Sequence, residues 1–234
     1  VCYRLHMKQF LIVGGSSGIG FALAQKLIAD GIKPLVIARN PGELNLQQVA
    51  FYEADVLNQP LPELNQPLHG LVYCPGSITL KPMRSLKEQD FLNDFHINVL
   101  GAVRIIQKYI TNLKEGTPSS IILFSSLAVE SGMNFHISIA AAKGAVEGLM
   151  RSLAAELAPS IRVNAIALSL TQTRLAARLI DTEGKLQAAK ERHPLKQVGN
   201  AADVASLAHW LLSDASKFVT GQVIKMDGGL SALR

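Results

Sequence analysis

Gly14-Gly15-Ser16-Ser17-Gly18-Ile19-Gly20 stands between a short apolar run, Phe10 to Val13, and a segment with apolar residues at helical spacing, Ala22, Leu23, Leu27 and Ile28. A strand that turns at once into a helix needs residues without a β-carbon, because the backbone doubles back on itself. The free N–H groups at the start of the following helix carry partial positive charge, and a diphosphate can approach them only where side chains are missing. Glycines at 14, 18 and 20 meet these needs together. That spacing, between strand and helix, is more specific than a lone GxGxxG. Gly14, Ser16, Ser17, Gly18, Ile19 and Gly20 are therefore the candidate contacts of a dinucleotide. The competing reading is a plain glycine-rich turn.

Outward from this turn, short β-branched runs alternate with helical segments, the pattern of βαβ units around a parallel sheet. Strands are expected at Phe10–Val13, Leu35–Ala38, Val49–Tyr52, Leu71–Cys74, Ile121–Phe124, Arg162–Ile166 and Gln222–Met226. Helices are expected over Ile19–Ala29, Phe91–Leu113 and Ala140–Leu157, and one more is capped by Asn200 and ends near Leu212. The segments joining the second, third and fourth strands are short and carry Pro41, Pro60, Pro62 and Pro67, so full crossover helices are not expected there. The expected fold class is α/β, a Rossmann-like, doubly wound, seven-stranded and mainly parallel sheet with helices on both faces. Residues 8–234 form its single domain, and 1–7 are expected to be a peripheral extension, since Met7 leads directly into the first strand.

Of the 234 residues, 48% are hydrophobic and 18% charged, which suits one globular domain with a large core. The formal charge of +5 is scattered with no basic run, which argues against a nucleic-acid partner. Only two cysteines, Cys2 and Cys74, are present, so neither a disulfide framework nor zinc or another metal is expected. Apolar runs such as Ile121–Phe124 are far too short to span a membrane, and no signal-peptide pattern precedes them. A cytoplasmic home follows as an expectation.

Arg39 follows the second strand, where an acid would grip two ribose hydroxyls and a base would accommodate a 2′-phosphate. With Ser16 and Ser17 it favours NADP(H) over NAD(H), against the reading of Arg39 as a solvated loop residue. Asp55, after the third strand, either accepts from an adenine amino group or merely ends the strand.

The chain resembles the short-chain dehydrogenase/reductase family, most of all its 3-oxoacyl-[acyl-carrier-protein] reductase branch. Besides the glycine turn, the resemblance rests on Asn98-Val99-Leu100-Gly101, Ser125-Ser126, Ala142-Lys143-Gly144-Ala145, Arg162 to Ile166, Thr220-Gly221-Gln222 and Asp227-Gly228-Gly229. It implies a catalytic Asn, Ser, Tyr and Lys, which fall on Asn98, Ser126 and Lys143, with the tyrosine position taken by Ile139. That residue lies four before Lys143 and thirteen after Ser126, and the tyrosines of the chain, Tyr3, Tyr52, Tyr73 and Tyr109, all lie elsewhere. The resemblance also implies that Lys143 holds the nicotinamide ribose, that Thr173 contacts the carboxamide, and that Gly76 lines the cofactor.

Hydride transfer to a carbonyl creates alkoxide charge, which a lysine-lowered phenol would protonate; isoleucine has no proton to give. A positioned acid supplies about 10² to 10⁴ in rate. His136, in the loop before the helix, either swings in as substitute acid or is an exposed loop histidine; an imidazole ordinarily titrates near pH 6.5. Ser138 would point about 100° away from residue 139 on a helix. Asn98 is either a buried amide satisfied by backbone or the holder of the family's relay water, and Ser126 either faces substrate or forms a turn. Other departures are Val13 for the family's Thr, Tyr73-Cys74-Pro75-Gly76 for Asn-Asn-Ala-Gly, and Leu168-Ser169 for Pro-Gly.

The leading expectation is an NADP(H)-binding oxidoreductase acting on a hydrophobic carbonyl or secondary alcohol with weakened proton transfer. Residues 174–196 would be its lid, and Leu175, Leu179, Ile180 and Leu186 its apolar wall, unless these are ordinary helix core. The alternative is a non-catalytic dinucleotide-binding subunit or sensor, and a transferase or lyase on the same scaffold is a third. A homodimer or homotetramer, paired through the helices at 91–113 and 140–157, is implied by the resemblance.

Overall fold

The computed structural model describes residues 8–233; the expected extension at 1–7 lies outside them. In chain order the main elements are β1 (Phe10–Val13), α1 (Gly18–Ala29), β2 (Leu35–Ala38), β3 (Ala50–Glu53) and β4 (Gly70–Tyr73). Then come α2 (Glu88–Phe95), a π-helical turn (His96–Leu100), α3 (Gly101–Glu115), β5 (Ser119–Ser126), α4 (Ala128–Ser131), α5 (Ile137–Leu157) and β6 (Ile161–Leu168). The chain closes with β7 (Thr171–Gln172), a 3₁₀ turn (Arg174–Leu179), α6 (Glu183–Arg192), β8 (Gly199–Asn200), α7 (Ala201–Leu212) and β9 (Val223–Met226).

Seven strands form one sheet in the order β3-β2-β1-β4-β5-β6-β9, and β7 pairs with β8 in a separate ribbon. Every pairing is parallel, so "mainly parallel" becomes wholly parallel. Period-two alternation sends successive side chains of β1 to opposite faces. Leu11 and Val13 join a core with Ile105, Tyr109, Val146 and Met150 of α3 and α5. Phe10 and Ile12 join the other, with Leu23 and Leu27 of α1 and Ala208 and Leu211 of α7. Parallel strands buried on both faces read as continuous apolar runs, which is why β1, β2 and β4 were plain in the sequence.

The structure shifts several expected boundaries. β5 and β6 are eight residues each, longer than the apolar runs, because Ser119, Ser120 and Asn164 are buried in the sheet with hydrogen-bonded side chains. The helix expected over Phe91–Leu113 is interrupted by the π-turn, and α5 begins at Ile137 rather than Ala140. Asn200 caps α7 as expected, its Oδ1 accepting from the N–H of Asp203 at 2.8 Å.

No helix lies between β2 and β3 or between β3 and β4, as the prolines indicated. Residues 56–66 hang instead on side chains of α3. Arg104 donates to the carbonyls of Val56 at 2.7 Å and Gln59 at 2.6 Å, Tyr109 to Pro62 at 2.8 Å, and Asn112 to Leu64 at 2.7 Å and Gln66 at 3.0 Å. These bonds satisfy carbonyls that a crossover helix would have paired internally.

The π-turn has a tertiary cause. Tyr73, at the end of β4, donates its hydroxyl to the Ile97 carbonyl at 2.7 Å, and burial pushes its phenol pKa upward. A β-carbon at Gly101 would sit 2.1 Å from that hydroxyl, so glycine is what admits the phenol. Tyr73→Phe is expected to cost about 1 kcal/mol through the lost hydrogen bond, and Gly101→Ala about 1–3 kcal/mol by overpacking. Urea denaturation midpoints of the two variants check this order.

Candidate active site

The C-terminal edge of the sheet carries the site. At its β1 end the glycine turn presses on its own backbone: a β-carbon on Gly20 would sit 2.5 Å from the Gly14 carbonyl oxygen, and Gly14 and Gly18 take φ of +76° and +54°. Ser17 occupies the N-cap of α1 without a side-chain hydrogen bond, and no acidic residue lies in the first turn. The opening N–H groups of a helix have no partner within it, so this twelve-residue helix presents a bare, positively polarised end. The geometry fits a diphosphate. Thr173 packs 3.6 Å from where a Gly18 β-carbon would stand, and its hydroxyl accepts from the Ala176 N–H at 3.4 Å, starting the 3₁₀ turn.

Just past the end of β3, Asp55 accepts from the Leu57 N–H at 3.0 Å and from Asn58 Nδ2 at 3.0 Å. These bonds, chiefly the one from Leu57, hold its carboxyl below the ordinary range, with a smaller contribution from the Arg39 charge. Of the two readings of Asp55, the strand-ending turn is the one its contacts display. Arg39 is exposed beside it.

The remaining candidates gather around a cavity of about 350 Å³. Ile19, Gly76, Ser126, Ile139, Lys143 and Thr173 all line it. Ile139 is 4% exposed and sits one helical turn before Lys143 on α5, so a hydrocarbon branch faces the cavity beside the ammonium. Lys143 donates from Nζ to the Phe124 carbonyl at 2.9 Å. Burial pulls its pKa down to about 8, partly offset by the carboxylate of Asp94 and the thiol of Cys74. Cys74 also lines the cavity, and burial pushes its thiol up to about 12. Ser126 accepts from the Ala128 N–H at 3.2 Å while lining the cavity, so it both forms a turn and faces the site.

Asn98 is fixed by the π-turn. Its Nδ2 donates to the Asp94 carbonyl at 2.7 Å and to Ser77 Oγ at 2.9 Å, but its buried Oδ1 has no protein partner. Backbone thus satisfies half of the amide. A β-carbon at Gly76 would lie 3.1 Å from that Oδ1 and 3.6 Å from Lys143 Nζ, so glycine keeps the amide oxygen and the ammonium open to a common space. Ser77 continues the network to Asp94 Oδ1 at 2.5 Å, where Thr79 joins at 2.9 Å. Asp94 is completely buried, and sequence reasoning missed it: a charged residue in a helix gives no hint of facing inward.

The expected apolar wall is corrected in part. Leu175 and Leu179 line the cavity, but Ile180 lies by a shallower depression near Gly18, and Leu186 borders neither. Leu175 and Leu179 of the 3₁₀ turn, rather than Leu186 of α6, border the cavity. Ser138 is buried within α5 with an unpartnered hydroxyl and does not line the cavity. His136 does line it, at the N-cap of α5, with Nδ1 2.7 Å from the Asn134 carbonyl. Sequence reasoning also passed over His193, which no local motif marked. It named Ser169 only as a departure from the family.

Among the described residues, no helix is long and apolar enough to cross a membrane, and no cluster of three or more His, Cys, Asp or Glu could hold a metal.

Residues 13–231 match the family profile described as Enoyl-(Acyl carrier protein) reductase. A tropinone reductase homologue of Arabidopsis thaliana is 33% identical, over 94% of this chain and 92% of its own length. The 3-oxoacyl-[acyl-carrier-protein] reductase MabA of Mycobacterium tuberculosis is 29% identical, over 95% and 92%. The solved structure of a short-chain type dehydrogenase/reductase from Mycobacterium ulcerans is 30% identical, with a TM-score of 0.86 over 96% of this chain and 90% of that one. ElxO with NADP bound shares the fold at 24% identity, with a TM-score of 0.84 over 96% and 99%. Matched in this way along nearly all of its described length, the chain belongs to the short-chain dehydrogenase/reductase family.

Proposed function

We propose that this short-chain-type oxidoreductase uses NADP(H) to interconvert a hydrophobic ketone or aldehyde and its alcohol. The observation that carries the reading is the juxtaposition of a bare helix N-terminus, built for a diphosphate, with a cavity that holds Ser126 and Lys143 between apolar walls. Gly14, Ser16, Ser17, Gly18, Ile19 and Gly20 would receive the diphosphate, and Arg39 a 2′-phosphate. Asp55 would border the adenine, Gly76 and Thr173 the nicotinamide end, and Lys143 the adjoining ribose. When bound, the dihydronicotinamide supplies a hydride. Ser126 would polarise the carbonyl, while Asn98 and Lys143 would steady a water in the space that Gly76 leaves open. Ile78, Leu80, Met133 and Leu175 make the wall apolar, which supports a hydrophobic substrate. Residues 174–196 are proposed as its lid, within a single domain spanning 8–234. Leu92, Phe95 and Leu100 are exposed along α2 and the π-turn, which supports pairing of copies as a homodimer or homotetramer through this face.

A second reading has its own observation. Ile139 puts hydrocarbon where the family resemblance implies a proton donor, and a chain that binds a dinucleotide without turnover would serve as a subunit or sensor. ElxO carrying a tyrosine-to-phenylalanine change is described with NADPH bound, which supports the separability of binding from proton transfer.

Calorimetry is expected to show NADPH binding about tenfold or more tighter than NADH, and Arg39→Glu to remove that preference by placing like charge against a 2′-phosphate. Equal affinities before and after the change would refute the NADP(H) assignment. Ile139→Tyr is expected to raise NADPH oxidation with hydrophobic ketones by about 10² to 10⁴. If wild type and variant both bind NADPH and both stay inactive across the panel, the sensor reading prevails.

A further inference from the structure

We propose that Ser169 and His193 form a proton relay opening on this cavity, supplying the proton that Ile139 lacks. The inference rests on the reductase reading above and deepens it. His193 is 2% exposed, yet it lines the cavity, as does Ser169. Its Nε2 is 3.0 Å from Ser169 Oγ, and its Nδ1 is 2.8 Å from the Ala189 carbonyl oxygen. A carbonyl only accepts, so Nδ1 carries a proton and Nε2 is the variable nitrogen. In the neutral ring Nε2 accepts from the Ser169 hydroxyl. In the imidazolium Nε2 donates to Ser169 Oγ, and the hydroxyl proton is released to point elsewhere.

The pair is held where a reacting oxygen would lie. Ser126 pairs in register with Leu168, so Ser169 is one residue past the rung that carries the polarising hydroxyl. A strand spacing of about 4.8 Å and a rise of about 3.3 Å put the two α-carbons about 6 Å apart. Both serines line the one cavity, and the relay requires the reacting oxygen to sit between their hydroxyls. The ring is fixed from two sides. His193 ends α6, its N–H donating to the Lys190 carbonyl at 3.0 Å. Gly228 packs on the imidazole so closely that its β-carbon would lie 3.5 Å from Cδ2.

Lys190, Glu191 and Arg192 precede the ring on α6, Lys196 follows it, Asp227 stands beside Gly228, and Lys143 lies across the cavity. Asp227 is occupied, accepting from the N–H groups of Gly229 at 2.9 Å and Ser231 at 3.0 Å. Imidazole is the side chain whose charge ordinarily changes between about pH 5 and 8, so turnover is to be followed across that range.

The step balances with a dihydronicotinamide as hydride donor. The carbonyl carbon gains the C–H bond, and the π pair moves to oxygen. That oxygen bonds the proton leaving Ser169 Oγ, while Ser169 Oγ takes the Nε2 proton of the imidazolium. Neutral His193 and an alcohol remain, and solvent reprotonates the ring. Ser169 would be the group that touches substrate, with His193 acting through it.

The test has a kinetic and a spectroscopic arm, both on the full chain. NADPH oxidation against hydrophobic ketones is followed from pH 5 to 9 for wild type, His193→Gln and Ser169→Gly. The wild-type kcat is expected to rise as pH falls through the imidazole range. Both variants should lose that limb and about 10²-fold in kcat at its acidic end, with little change in KM for NADPH. Ser169→Gly keeps the test alive should the buried His193 variant fold poorly. Independently of turnover, nitrogen NMR of the imidazole in cofactor-free protein should find the neutral ring protonated on Nδ1, and its Nε2 signal should move in Ser169→Gly. Unchanged pH profiles in both variants would overturn the relay and leave the reductase reading standing. Loss of the acidic limb in His136→Ala alone would overturn it too, as would a neutral ring protonated on Nε2. NADPH binding without reduction of any ketone would overturn the reductase reading and the relay together.

Discussion

Everything in this site is referred to one close contact, the passage of the α1 N-terminus over the end of β1. Gly20 lies against the Gly14 carbonyl with no room for a β-carbon, so helix and strand share an origin that no side chain can loosen. The helix then lies on the sheet through Leu23, Ala24 and Leu27, packed beside α7. Its free N–H groups are thereby aimed at a fixed point above the sheet edge. The sheet places the ends of β4, β5 and β6 beside that point in order, and these ends lead into Gly76, Ser126 and Ser169. An anion at the helix end would thus lie at a set distance from these three positions.

The chemical half of the cavity is polar in an unusual distribution. Asn98, Ser77 and Asp94 form a connected set with Asn98 Oδ1 and Asp94 Oδ2 left without protein partners, while Lys143 bonds separately to the Phe124 carbonyl. Buried polar atoms are rarely left unmatched. Ile139, beside this set, adds no donor or acceptor. Polar groups and hydrocarbon thus meet along α5, with Ile139 one turn from Lys143.

Much of the fold was legible because buried parallel strands are written as unbroken apolar runs. Phe10–Val13 and Leu35–Ala38 are strands with the boundaries read from sequence. Prolines between β3 and β4 announced the missing helix, but not that Arg104, Tyr109 and Asn112 would hold the segment, since those contacts span more than forty residues. The π-turn was illegible for a similar reason: its cause is a phenol on another strand. In the site, the glycine turn, Ser126, Ile139 and Lys143 could be placed by local spacing. His193 could not, because its meaning comes from Ser169, 24 residues away, and Asp94 looked like an ordinary surface acid.

The side-chain tethering of residues 56–66 has a consequence for how the molecule breathes. A helical connection pairs its own backbone, whereas this one relies on side chains of α3 and on Val56 and Leu64 set into the core, so its backbone is the more open to local exchange. Deuterium would therefore enter the backbone of this flank sooner than that of β4 or β5. Because β3 is the outermost strand on the same side, this flank is the compliant margin of the sheet. Any ligand that leaned on that margin would have to bear the entropy of stilling it.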